Sequence, residues 1–406
     1  MNLKRIFLIF CSCLVFFSCN NSNIVNTVKQ QTLFSLNYGK FEDELDLFSV
    51  NQTGSIKTFM TMEDGVFFIA NGESKKILKL SSYGDVIGIY YDPLTNPTPN
   101  FEKVLEKSSN KIQSTQHAIQ YQFNDIGKII SDEKKNFYVT EKLPLSRQEQ
   151  DENNKVLLQN IVLRFADNGK LIDYIGQQGP GGTPFPYIKN LFVTKNNELV
   201  VHCLLHNGSI VYWFSEQGYL KYTIPISNEN LPKPQEFEKS EVFMTLDSIV
   251  PDYHKKKLYL KIDYHETEID SSTKAKAGIQ FKNTLIYPLD IETGKYEEYL
   301  IIPGQEETVS NGFSKQTFTY AYDFLGITEN GWLFFMVAAD SGFYIQMIHP
   351  NGQKIIKRHI EVDHQNVFYH NFSLSSQGII SALLAKEQEV QLVWWRTDTL
   401  LEAFIQ

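Results

Sequence analysis

The chain has 406 residues, with 38 lysines and arginines against 47 aspartates and glutamates and a formal charge of −9. A net acidic chain is poorly matched to nucleic acid or to an anionic lipid surface, so neither is expected as a partner. The length would suit two or three ordinary domains, which makes internal repeats the first thing to seek.

The amino terminus, "MNLKRIFLIFCSCLVFFSC", has a basic start at Lys4 and Arg5 and an apolar run from Ile6 to Ser18 that ends at Cys19. The run is shorter than the roughly 20 residues that span a bilayer, so residues 1–18 read as a signal peptide. The segment resembles a bacterial lipoprotein signal, which implies that Cys19 is acylated and becomes the first residue of the mature chain. Residues 19–30 are polar and unpatterned, a flexible tether between the lipid and a single domain over 31–406. Cys11 and Cys13 leave with the signal and Cys19 carries lipid, so Cys203 alone remains as a thiol. That count excludes an internal disulfide and a cysteine metal site, and the apolar neighbours of Cys203 predict a buried, inert thiol.

A recurring unit follows: a polar turn, then a run of aromatic and β-branched residues. It occurs in "MEDGVFFIAN" (62–71), "DEKKNFYVTE" (132–141), "TKNNELVVHC" (194–203), "HKKKLYLKID" (254–263), "TENGWLFFMV" (328–337) and "SSQGIISALL" (375–384). After each comes a hairpin, as in "NIVLRFADNGKLIDYIG" (160–176); the sixth, "VQLVWWRTDTLLEAFI" (390–405), lacks the turn glycine. The runs alternate or stay apolar for five to seven residues, without helical spacing, which predicts strands. Six copies of four antiparallel strands predict an all-β fold, a six-bladed propeller. Thr32 to Leu36 has strand composition and is expected to pair with the last blade near Val390 to Arg396.

The stretch "LIDYIGQQGPGGTPFPYIKNLFV" places a Gly/Pro cluster between two strand-like runs. A phosphate loop would need Lys and Ser or Thr after its last glycine and then a helix, whereas here Thr183-Pro184-Phe185-Pro186 follows. The cluster is expected to be the joint between two blades, with Phe185 and Pro186 packed between them. Gly176, Gly179, Phe185, Pro186 and Ile188, the run "NFYVTE", and Arg164, Phe165 and Gly169 together resemble the NHL-type six-bladed propellers. Most of the mature chain, including "LFSLNYGKFEDELDLF" (33–48), also resembles uncharacterised spirochaetal lipoproteins with NHL-like repeats. This resemblance implies lipoprotein and propeller and brings no catalytic residue.

Within a propeller blade, the turns joining first to second and third to fourth strands share one face. These are short throughout, while the connections of the opposite face are long: 92–125, 142–156, 225–242, 264–281 and 302–320. Loops on rigid scaffolds carry function, so the long-loop rim is the expected working surface, with Arg147, Tyr264 and His265 as candidate binding residues. His202 and His206, and Glu266 and Asp270, stand four apart without a further ligand set, so no metal and no cofactor is assigned. The acids of "FEDELDLF" (Glu42, Asp43, Glu44, Asp46) are expected on an exposed edge rather than as an acid/base pair, and no catalytic residue is assigned. The expected function is a lipid-anchored, monomeric scaffold of the cell envelope that binds a protein, peptide or glycan, with the membrane reached only through the lipid. The alternative is a metal-dependent, lactonase-like hydrolase with its site in the central channel. Three or more Asp, Glu, Asn or His side chains converging there would decide for it.

Overall fold

The structure, a computed structural model, describes residues 25–48, 55–101, 116–237, 242–269, 273–312, 314–402 and 404. The expected signal peptide and Cys19 lie outside the described residues, as does the middle of the 92–125 loop. Six sheets succeed one another along the chain, antiparallel but for a short parallel edge strand on the first and the last. Blade 1 is Thr58–Glu63, Val66–Asn71, Lys76–Leu80 and Val86–Tyr91. Blade 2 is Asp125–Ser131, Phe137–Lys142, Asn160–Phe165 and Leu171–Gly176. Blade 3 is Tyr187–Val193, Leu199–Leu205, Gly208–Phe214 and Leu220–Ser227. Blade 4 is Val242–Pro251, Lys257–Ile269 and Lys276–Asp290, edged by the short strands Lys295–Tyr296 and Leu300–Ile302. Blade 5 is Asp323–Ile327, Leu333–Ala339, Gly342–Ile348 and Ile355–Glu361. Blade 6 takes Tyr369–Leu374, Ile380–Ala385 and Glu389–Trp395 from the carboxyl end of the chain.

The fourth strand of blade 6 is Gln30–Tyr38 from the other end of the chain, antiparallel to Glu389–Trp395 with Thr32 opposite Val393 and Leu36 opposite Val390. The expected pairing of Thr32 to Leu36 with the last blade is therefore present. It also explains why 396–402 is not the last strand of a sixth hairpin. The place is already filled, and Asp398–Glu402 forms one short helix instead. Just before the closing strand, Thr27 bridges His359, and Val28 donates its backbone N–H to the His359 carbonyl at 2.8 Å. The described end of the expected tether thus lies along blade 5.

The continuous apolar runs have a packing cause. Successive side chains of a strand point to opposite faces, and in a propeller both faces of a blade are covered by neighbours. Phe67 and Ile69 pack with Leu383 and Leu392 between blades 1 and 6, whereas Phe68 and Ala70 pack with Phe137 and Phe165 between blades 1 and 2. Four further clusters fill the remaining interfaces, 2/3, 3/4, 4/5 and 5/6. Each interface has its own core, and the ring closes through β-pairing.

The Gly/Pro cluster is the expected joint. Gly179–Pro180 folds back onto the outer strand of blade 2, and a Cβ at Gly176 would sit 2.3 Å from the Gly182 carbonyl oxygen, so only glycine fits. Phe185 is buried between blades 2 and 3, edge-on to Tyr212, and exchanges backbone hydrogen bonds with Asn160 at 2.6 and 3.0 Å.

Candidate functional site: the long-loop rim and the channel beneath it

The two faces of the ring differ. On the short-turn face, turns of different blades are tied to one another. Lys135 of blade 2 pairs with Asp64 of blade 1 at 2.7 Å, and Lys195 of blade 3 pairs with Glu133 of blade 2 at 2.6 Å. Gln377 of blade 6 donates to Asp64 at 2.8 Å, and the Ser376 N–H donates to Glu63 at 3.2 Å. Tyr253 of blade 4 donates its hydroxyl to Glu133 at 2.7 Å. Exposed pairs of this kind add little energy singly, but together they fix the turns and occupy their polar groups.

On the opposite face the chain is elaborated, as the loop lengths anticipate. The connection after Phe137–Lys142 carries a 3-10 turn, Leu145–Arg147, and a hairpin of Glu149–Asp151 and Val156–Leu158. In blade 4 the strands Lys257–Ile269 and Lys276–Asp290 run on beyond the ring as a twisted ribbon, paired as far as Ile269 and Lys276. A third hairpin, Gln305–Asn311 with Ser314–Tyr320, forms a separate two-stranded sheet. It stands against the ribbon: a Cβ at Gly304 would meet Thr319 at 2.6 Å and the Phe281 ring at 3.2 Å. Ribbon and hairpin expose Ile269, Ile279, Val309, Phe318 and Tyr320, with Ile269 and Ile279 about 60% exposed, and Phe243 on the strand beside the ribbon is exposed too. An isolated hairpin is marginal in water, and apolar side chains gathered on exposed strands mark an interaction surface.

The three candidate residues fare differently. Arg147 is exposed at the end of the 3-10 turn and lines a cleft of about 460 Å³ with Glu149, Tyr174 and 181–184. His265 is half-buried in the ribbon, edge-on to Phe281 with ring centroids 5.8 Å apart. Tyr264 is fully buried: its ring stacks on Phe237 and its hydroxyl donates to the Pro232 carbonyl at 2.6 Å. The structure therefore gives Tyr264 to the core of blade 4. It sits inside the strand Lys257–Ile269, not on a loop, and continues the inward alternation of Leu258, Leu260 and Ile262. Burial raises its phenol far above the ordinary range.

Among the described residues no set of three or more His, Cys, Asp or Glu is placed to hold a metal ion. His202 is buried and its Nε2 meets Ser209 Oγ at 3.0 Å, while Glu266 pairs with Lys282 at 3.0 Å. Cys203 is buried, and burial pushes its thiol well up. The acids Glu42 to Asp46 surround the buried ammonium of Lys76, which donates to the Phe41 carbonyl at 2.8 Å and is held down to about 7 by burial. Glu44 lies on Glu44–Leu45, the short edge strand of the blade 6 sheet, and Asp43 is exposed, as expected of an edge.

The central channel is lined by the first strands of all six blades. Its lower part encloses about 300 Å³, from Met60, Phe324 and Phe372 down to Glu63, Asp132 and Asp252 at the short-turn mouth. Toward the long loops the first strands carry a charged group, Lys128 of blade 2, Lys189 and Asn190 of blade 3 and Asp247 of blade 4, to which the second strand of blade 4 adds Lys261 and Asp263. Sequence reasoning missed this group because its members come from four strands of three blades, each polar residue set among apolar ones. The one available signal is a lysine or aspartate at a strand position where its neighbours are apolar.

No protein-family profile matches the chain, and no curated protein matches it either. Among solved structures it is similar to a gluconolactonase, XC5397 from Xanthomonas campestris, at 9% identity over 91% of this chain and 97% of that one, with a TM-score of 0.41. It is also similar to a PL25 ulvan lyase at 11% identity over 90% and 83%, TM-score 0.37, and to the Dos1 propeller at 9% identity over 91% and 95%, TM-score 0.35. No helix among the described residues is long and apolar enough to cross a membrane. With six blades, six interblade cores and a shared last sheet, the chain is a six-bladed β-propeller.

Proposed function

We propose that this propeller is a non-catalytic binding scaffold of the bacterial cell envelope, anchored by lipid on Cys19, that takes a protein partner on its long-loop rim. The observation behind it is the blade 4 ribbon and the separate hairpin at 305–320 standing side by side at Phe281 and Thr319, with Ile269, Ile279, Val309, Phe318 and Tyr320 exposed on that rim. Open strand edges beside apolar side chains suit an extended protein segment, which would pair its backbone and seat alternate side chains. The short-turn face, whose polar groups are tied between blades, offers far less. For the metal-dependent hydrolase, no three His, Cys, Asp or Glu side chains among the described residues are placed to hold the ion. An NHL-type ancestry is part of the proposal, supported by Arg164, Phe165 and Gly169 in the hairpin of blade 2 and by Phe185 at the blade 2/3 joint.

The anchor and the rim are tested separately. Cys19→Ala should abolish incorporation of labelled fatty acid and shift the chain to the soluble fraction; membrane retention of unlabelled chain would rule the anchor out. Capture of an envelope protein by the immobilised chain should be lost when the hairpin 305–320 is replaced by a short glycine turn. Undiminished capture by the folded variant would remove that hairpin from the site.

A further inference from the structure

We propose that the long-loop end of the central channel is a binding site for a small organic carboxylate, held between Lys128 and Lys189. This goes beyond the rim reading and does not depend on it. The two lysines lie on the adjacent inner strands of blades 2 and 3. Lys128 Nζ donates to Asn190 Oδ1 at 3.0 Å and lies 5.6 Å from the centroid of the Phe59 ring. Lys189 Nζ donates to the backbone carbonyl of Asp247. Both side chains are half-buried, and among the described residues neither is in an ion pair, whereas Lys57, Lys79 and Lys261 all are.

An ammonium has three donors, and each of these two spends one on a neutral protein oxygen. A partly desolvated cation without a counterion is unfavourable, and two side by side are more so. Lys128 is accordingly held below the usual lysine range, first by burial and then by Lys189. Behind them His202 is only 1% exposed, and its Nδ1 has no hydrogen-bond partner. Burial, then Lys189 and Lys128, push its imidazole down to about 3. The blade 2/3 side of the channel thus presents two unspent cations and a neutral ring.

The facing wall decides which anion fits. Lys261 is shared by Asp247 at 3.0 Å and Asp263 at 2.7 Å, and Thr284 also donates to Asp263. Asp323 of blade 5 adds a further carboxyl, raised by burial and by Asp247. Three acids and one lysine make that wall net negative, so a dianion such as phosphate is repelled more than a monoanion. The Phe59 ring beside Lys128 supplies an apolar surface for an organic body. Lys128 and Phe59 also line a cleft of about 280 Å³ with Thr140, Asn160 and the exposed Tyr187, which places the site within reach of ligand from the rim.

The test is lysine protection on the full-length protein in detergent, read by mass spectrometry after brief acetylation at constant ionic strength. Sodium benzoate and sodium acetate should slow modification of Lys128 and Lys189 by about threefold or more and saturably, while the exposed Lys170 is unchanged and sodium phosphate or chloride has little effect. In the same titrations a saturable rise of the melting midpoint with benzoate should weaken about tenfold in Lys128→Met and in Lys189→Met. Equal labelling of both lysines with and without carboxylate in the folded wild-type protein would overturn the proposal, even if the variants fail to fold. Stronger protection by phosphate than by benzoate would overturn the carboxylate assignment.

Discussion

Arg164 and Asp173 face each other across the two outer strands of blade 2, joined by guanidinium-to-carboxylate hydrogen bonds of 2.7 and 2.6 Å. The same guanidinium donates at 3.0 Å to the backbone carbonyls of Glu216 and Gln217, in the outer turn of blade 3. The planar fork thereby holds one blade to the next, which a lysine could not reproduce. Arg164→Ala leaves a carboxylate and two carbonyls without their donor, and should cost about 3 kcal/mol in chemical denaturation. Arg164→Lys should recover less than half of that loss.

Ring closure rests on the strand from the amino end. Leu36 is buried between blades 6 and 1, opposite Val390. Leu36→Ala should destabilise the whole domain by about 2–4 kcal/mol, because it opens a cavity where the ring is joined. Deleting 31–48 should lower the midpoint much further, and deleting 20–24 should leave it unchanged; calorimetry distinguishes the three.

The His202 imidazole is ordinary in the unfolded chain and pushed down to about 3 in the folded one. Between those values the unfolded state binds the extra proton, so stability from this group is complete above about pH 6.5 and is lost as pH falls toward 3. The urea midpoint of the wild-type protein should therefore fall more steeply between pH 6.5 and 4 than that of His202→Gln. Parallel curves would contradict a buried neutral histidine.

Lys76 gives the opposite-looking case with the same sign. Its folded value is about 7 against an ordinary lysine value near 10.5, so the penalty of burying its charge is complete below pH 7 and is relieved as pH rises through the window up to 10.5. Stability of the wild-type protein relative to Lys76→Met should rise from pH 7 to 9.5, measured by urea unfolding at each pH.

The architecture was legible because both faces of every blade are buried, and the sequence therefore shows apolar runs such as Val66 to Ala70 between glycine turns. One-sided loop lengths likewise located the elaborated face. Individual rim residues were less legible. Tyr264 and His265 are adjacent, yet strand alternation sends one into the core against Phe237 and leaves the other half-buried at Phe281. The end of the chain misled because "VQLVWWRTDTLLEAFI" is apolar enough for two strands, while a strand some 360 residues earlier occupies the place of the second. Lys128 and Lys189 were invisible because nothing local shows that Asn190 and Asp247 meet them.

The central claim, that the long-loop rim is the working surface, is tested most directly by quantitative capture of envelope proteins on three immobilised forms. These are the wild-type chain, a variant with 265–278 and 305–320 each replaced by a short glycine turn, and Lys135→Ala/Gln377→Ala on the short-turn face. Exposed loop tips tolerate such replacement, so all three should show cooperative melting. The account predicts that the rim variant retains its fold and loses at least about tenfold in affinity for the captured partner, about 1.4 kcal/mol, while the short-turn variant binds as the wild-type chain does. Full binding by the folded rim variant, with loss in the short-turn variant, would contradict it.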